Sequence, residues 1–171
     1  MLRVDEMITQ MTRQAERIRA MVEGVADEQA RWKPDAESWS LLEVVNHLYD
    51  EEREDFRVRL DYLLHQPDVV APPIDPQAWV TARAYNERDL AESLGNFLAE
   101  RRRSLEWLRG LNAPDFAAEV VMPWGAVYHP GDMAASWLAH DILHLRQLVE
   151  LHWAWTQRAV APFTGDYAGA W

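Results

Sequence analysis

Residues 130–153, PGDMAASWLAHDILHLRQLVELHW, decide the fold. Pro130 stands where a missing N–H is harmless, in the first turn of a helix. Beyond it Met133, Trp137, Leu148 and Leu151 fall on one face when each residue advances by about 100°. The stretch therefore predicts a helix from Pro130 to about Trp153. His140 and His144 lie in the middle of its apolar stripe, one turn apart and on the same side. Histidines at that spacing can reach a single cation, as in the helical His-x-x-x-His pair.

The rest of the chain reads the same way. A first helix is predicted over 5–22, with Met7, Met11, Ile18 and Met21 as its stripe. After a polar link containing Pro34 and Ser38, Ser40-Leu41-Leu42-Glu43 forms a capping box that starts a long second helix. Leu41, Val44, Val45, Leu48, Phe56, Leu60 and Leu63 form its stripe, and it ends before Pro67. Four prolines mark 67–79 as a loop crossing the molecule. Asn86 is read as the N-cap of a third helix over 87–109, stopped by Gly110. A second crossing, 111–129, contains Pro114, Pro123 and Gly125, with a short extended segment near 119–122. From Thr156 to Trp171 an irregular arm is expected. Four amphipathic helices without repeat or linker predict an all-α four-helix bundle forming a single domain over 1–171.

Composition narrows the function classes. The 171 residues include 28 Asp plus Glu against 17 Lys plus Arg, a net charge of −11. So acidic a chain repels phosphate backbones and anionic lipid, so neither nucleic acid nor a membrane is expected as a partner. There is no cysteine, hence no disulfide, Cys-ligated zinc or internal thiol nucleophile. Met1-Leu2-Arg3-Val4-Asp5-Glu6 carries no apolar targeting segment and no stretch suits a bilayer, so a cytoplasmic location is expected. Nine tryptophans are far above ordinary usage. They read either as bulky core side chains or as the walls of an aromatic cavity.

Several polar groups face inward. His140 and His144 are either satisfied core histidines or ligands of a shared cation. Glu52 lies between Leu48 and Phe56 in mid-stripe, where a carboxylate needs a cation or a hydrogen-bond partner. An inward arginine such as Arg88 or Arg103 would serve. His47 flanks that stripe, with Glu51 one turn on. His65, His129 and His152 read as structural or exposed, and Arg101-Arg102-Arg103 as a solvated face balanced by Glu100 and Glu106. Neither a phosphate-binding glycine loop nor a serine nucleophile elbow is present.

Taken in order, Trp39-Ser40, His47 with Glu52 five residues on, Trp124-Gly125, and HDILHLRQ at 140–147 resemble the signature of the DinB-like (YfiT-type) metal-binding superfamily. The resemblance covers most of the chain. It implies up-down-down-up connectivity, a homodimer, and a divalent metal held by His47, His140 and His144. Zinc or nickel heads the metals it implies, with iron, manganese or copper as alternatives. Gln147, Asp141 and Trp137 are assigned to the pocket wall or to positions beside the ligands. Glu51 or Glu52 is assigned to proton transfer or to orienting a ligand. Family members include thiol-dependent S-transferases using bacillithiol, mycothiol or glutathione-like cofactors, and a mycothiol-dependent isomerase. The implied activity is S-transfer from a low-molecular-weight thiol to small electrophiles, in stress or detoxification. A three-imidazole site suits this chemistry, because a cation whose charge is uncompensated acidifies a bound thiol. Two further readings share the sequence: metal-dependent hydrolysis, and a non-catalytic dimeric bundle binding a metal or small ligand. The last rests on Trp153, Trp155 and Trp171 near the C-terminal end.

Overall fold

Ser40 caps the second of four long helical rods in the computed structural model, which describes residues 2–169. Its Oγ accepts the Glu43 N–H at 3.1 Å and Glu43 Oε2 accepts the Ser40 N–H at 2.8 Å, the predicted capping box. The rods are α1 (Val4–Val22), α3 (Leu41–Glu51) continuing into α4 (Arg57–His65), α6 (Leu90–Gly110) and α7 (Pro130–Val160).

Between α3 and α4 the helix widens into a π turn, Glu52–Phe56. Leu48, Glu52, Phe56 and Leu60 are all buried at every fourth residue. In a regular helix such a series drifts by about 40° per step. The wide turn takes up that drift, so the series keeps facing the core.

The core shows how the rods run. One cluster joins Ile18 and Val22 from the end of α1 to Leu41 and Val45 from the start of α3. Leu94 and Phe97 come from the start of α6, and Leu148 and Leu151 from the far half of α7. A second cluster gathers Met7, Met11, Phe56, Leu60, Leu105, Leu108, Ala134 and Trp137 from the opposite ends. The rods therefore run up, down, down and up, forming the expected four-helix bundle. Only the α4–α6 connection travels the length of the bundle.

The structure corrects several local expectations. The 67–79 segment is not all loop, because its last residues open α5 (Pro76–Ala82). Pro76 sits at the first helical turn, and Asp75 Oδ1 accepts the Ala78 N–H at 3.0 Å, so proline starts this helix rather than preventing it. The polar link before Ser40 contains a short helix, α2 (Asp27–Arg31). The N-cap of α6 is Asp89, whose Oδ1 accepts the Glu92 N–H at 2.8 Å. Asn86 instead ties elements together, accepting from Ser40 Oγ at 2.6 Å and donating to Arg31 O at 3.1 Å. Residues 111–129 do not cross the bundle: α6 ends and α7 begins at the same end, joined by a small hairpin, β1 (Val120–Val121) against β2 (Val127–Tyr128). Finally, α7 continues to Val160, so the first part of the expected irregular arm is helical. Trp171 lies outside the described residues. Trp155 packs edge-on against Trp32 at 5.6 Å, with Arg158 over both rings. No helix among the described residues is long and apolar enough to cross a membrane.

Candidate metal centre

Helices α3 and α7 bring three imidazoles together. His140 and His144 follow from α7 alone, being one turn apart. His47 joins them from α3, with its Nε2 at 3.2 Å from His140 Nε2, while His144 Nε2 lies 3.1 Å from the same atom. Two imidazole nitrogens bound at about 2.0–2.1 Å to one tetrahedral cation lie about 3.3 Å apart. The donor set and its spacing thus fit a single divalent ion, and the three histidines form a cluster that could hold one.

Hydrogen bonding sets the tautomer of one ring. Gln147 Oε1 lies 2.8 Å from His144 Nδ1, so that nitrogen donates its proton and leaves the Nε2 lone pair aimed at the cluster. Burial pushes the imidazole of His47 down to about 3 and that of His140 down to about 2, with the neighbouring imidazoles acting in the same direction. Burial also lowers His144, opposed by its bond to Gln147 and by Asp141. All three rings are thus neutral at neutral pH, the form that binds metal.

Aromatic side chains flank the rings. Trp39, immediately before the helix cap, lies 4.8 Å from His47 and stacks parallel to His144 at 6.4 Å. Phe56, brought round by the π turn, lies 4.8 Å from His140. The imidazoles line an open cleft of about 810 Å³, together with Trp39, Glu51, Gln147, Glu150 and Trp153. Tryptophan thus serves both expected purposes: Trp137 is core, whereas Trp39 and Trp153 line the cleft.

Residues 10–148 match the sequence model of the DinB superfamily. The chain belongs to the DinB superfamily. Among solved structures, this DinB chain is similar to YfiT from Bacillus subtilis, described as a probable metal-dependent hydrolase with an unusual four-helix bundle topology. The TM-score is 0.74 with 21% sequence identity, over 86% of this chain and 85% of that one. At that identity the likeness speaks for the fold. No curated protein matches the chain.

Within this DinB bundle, the structure separates residues that the sequence placed together at the site. Glu52 does not face the cleft. Its Oε1 accepts from Arg101 Nε at 2.8 Å, and its Oε2 accepts from Arg101 Nη2 and Trp137 Nε1, both at 2.9 Å. Asp141 takes the other side of the same guanidinium, at 2.7 and 2.9 Å. Glu52, Trp137 and Asp141 are therefore parts of a buried cluster rather than cleft wall, and the proton-transfer expectation for Glu52 fails on its position. Gln147 and Glu51 do line the cleft.

The partner of Glu52 is neither Arg88 nor Arg103. Arg88 donates to Asn46 at 2.9 Å, and Arg103 is 71% exposed and pairs with Glu100. Arg101, expected on a solvated face, is 2% exposed. Three successive residues on a helix point about 100° apart, so a run of three cannot share one face. Phe97, Arg101 and Leu105, at four-residue steps, carried the missed signal. The remaining histidines are structural or exposed, as expected: His152 bonds Gln29 and Met21 O, His129 bonds Ala118 O, and His65 pairs with Asp61 at the surface.

Proposed function

We propose that the protein is a metal-dependent enzyme in which His47, His140 and His144 hold one divalent cation, zinc or nickel, in the cleft. The observation that carries this reading is the convergence of three Nε2 atoms from two helices. When bound, the cation supplies Lewis acidity, lowering the pKa of a nucleophile that it contacts. The chain's own residues do the rest. Three neutral imidazoles leave the charge of the ion uncompensated and its remaining coordination sites free for small molecules. Gln147 holds His144 in the ligating tautomer, while Trp39 packs beside His47 and Phe56 beside His140. The cleft has the size of an ordinary small-molecule site.

The chain has no cysteine, so a water or thiol nucleophile enters from solution. Hydrolysis is the first reading, supported by the likeness to YfiT, a probable metal-dependent hydrolase. Thiol transfer to a small electrophile is the second. Its cosubstrate must tolerate a cleft lined by Glu37 and Glu150 and, among the described residues, by no lysine or arginine. That lining disfavours anionic thiols.

Zinc- and nickel-loaded protein should be assayed on ester, amide and electrophile panels with and without mycothiol, bacillithiol or glutathione. Turnover in water alone that disappears in His144→Ala assigns hydrolysis. Turnover that needs thiol and disappears in the same variant assigns transfer. Protein inert on every panel, or active without regard to His144, overturns the proposal.

A further inference from the structure

Among the described residues, three buried side-chain polar atoms have no hydrogen-bond partner: Gln14 Oε1, His47 Nδ1 and Glu51 Oε1. Two of these belong to one helix face. His47 and Glu51 are four residues apart on α3, where side chains are neighbours about 5–6 Å apart at Cβ. A buried polar atom without a partner is rare and costly. Here the two orphans are complementary. A histidine that offers its Nε2 lone pair carries its proton on Nδ1, which becomes a donor. Glu51 Oε1 is an acceptor.

The same face continues beyond Glu51. Burial, together with the neighbouring Asp55 carboxyl, pushes Glu51 up to about 8. Asp55 in turn accepts from Arg59 Nε. Residues 47, 51, 55 and 59 thus follow one another at four-residue steps through the π turn, with the last pair bonded.

Resting on the metal-centre reading above, we infer that Glu51 Oε1 accepts the His47 Nδ1–H when His47 Nε2 ligates the cation. Glu51 is then a positioning residue, fixing the tautomer and orientation of His47 as Gln147 does for His144, and not the proton-transfer group of the site. Such partners raise ligand basicity, and their removal weakens metal binding about 10–100-fold.

The test is Zn²⁺ affinity by competition with a chromophoric chelator, for wild type, Glu51→Gln and Glu51→Ala, each checked for helical content. Glutamine keeps an acceptor oxygen for the His47 Nδ1–H, so Glu51→Gln should bind more tightly than Glu51→Ala. Glu51→Ala should bind about 10–100-fold more weakly. In the Zn²⁺ form of the wild type, ¹⁵N-histidine NMR should show a slowly exchanging His47 Nδ1–H, shifted in Glu51→Gln. Equal affinity of Glu51→Ala and wild type overturns this inference alone. So does a glutamine variant as weak as the alanine one, or a His47 Nδ1–H absent from the wild-type spectrum. Wild type that takes up no Zn²⁺ overturns the metal-centre reading and this inference with it.

Discussion

Arg101 and Glu52 meet as a bidentate pair in the middle of the bundle, with Nε–Oε1 at 2.8 Å, Nη2–Oε2 at 2.9 Å and both side chains 2% exposed. The guanidinium also donates to Asp141 and to Met11 O, so a single side chain on α6 binds groups from α1, the π turn and α7. Because Asp141 adjoins His140 and Glu52 adjoins Glu51, this cluster fixes the register of the two helices that carry the candidate metal centre.

Removing the cation from that cluster leaves two buried carboxylates without a countercharge. Arg101→Ala is expected to lower unfolding free energy by about 3–5 kcal/mol. Urea denaturation checks this, and a loss well below that range would show the cluster to be solvated.

Metal binding should depend on the α7 pair. Elemental analysis is expected to find about one divalent ion per chain in wild-type protein and none in a His140→Ala/His144→Ala variant, as a site with a single remaining imidazole requires.

Gln147 should matter without touching the ion. Gln147→Leu removes the acceptor for His144 Nδ1–H and is expected to weaken Zn²⁺ binding about 10–100-fold. Chelator competition reads the effect, and unchanged affinity would show that the tautomer is set elsewhere.

Acid should destabilise the metal-free protein through the same rings. Burial holds His47 at about 3 and His140 at about 2, against about 6.5 in an unfolded chain. Between those values the unfolded chain binds more protons, so stability rises with pH and is lost as pH falls below about 6.5. The expected slope is up to about 1.4 kcal/mol per pH unit for each imidazole. Urea unfolding between about pH 6.5 and 5 measures it, and a His47→Gln/His140→Gln variant should flatten it.

Two helix caps should act independently of the site. Ser40→Ala and Asp89→Ala each remove the acceptor of an N-terminal N–H, with an expected loss of about 1 kcal/mol apiece. Thermal melts check both, with Zn²⁺ affinity unchanged in Asp89→Ala.

Some features were legible in the chain because they are local. Helical periodicity is set by neighbours a few residues apart, so the four amphipathic rods, the Ser40–Glu43 box and the shared face of His140 and His144 could be read directly. Resemblance, not periodicity, added His47. The start of α5 at Asp75-Pro76 lies in a proline-rich segment that reads as loop, and Asp89 rather than the nearby Asn86 caps α6.

Glu51 and Glu52 mark where the linear sequence stops being informative. Adjacent residues on a helix point about 100° apart, so only one of them can face the cleft. The choice depends on the π turn, which keeps Phe56 and Leu60 buried against the other rods. Likewise, which of three successive arginines neutralises Glu52 depends on how α6 is rotated and shifted against α1, α3 and α7. That register is fixed by the summed packing of two core clusters, a property of all four helices at once and of no segment by itself. The amino-acid sequence by itself determined the rods and the inward-facing histidines of α7. Tertiary packing decided that Arg101 neutralises Glu52, that His47 completes the cluster, and that Glu51 rather than Glu52 lines the cleft.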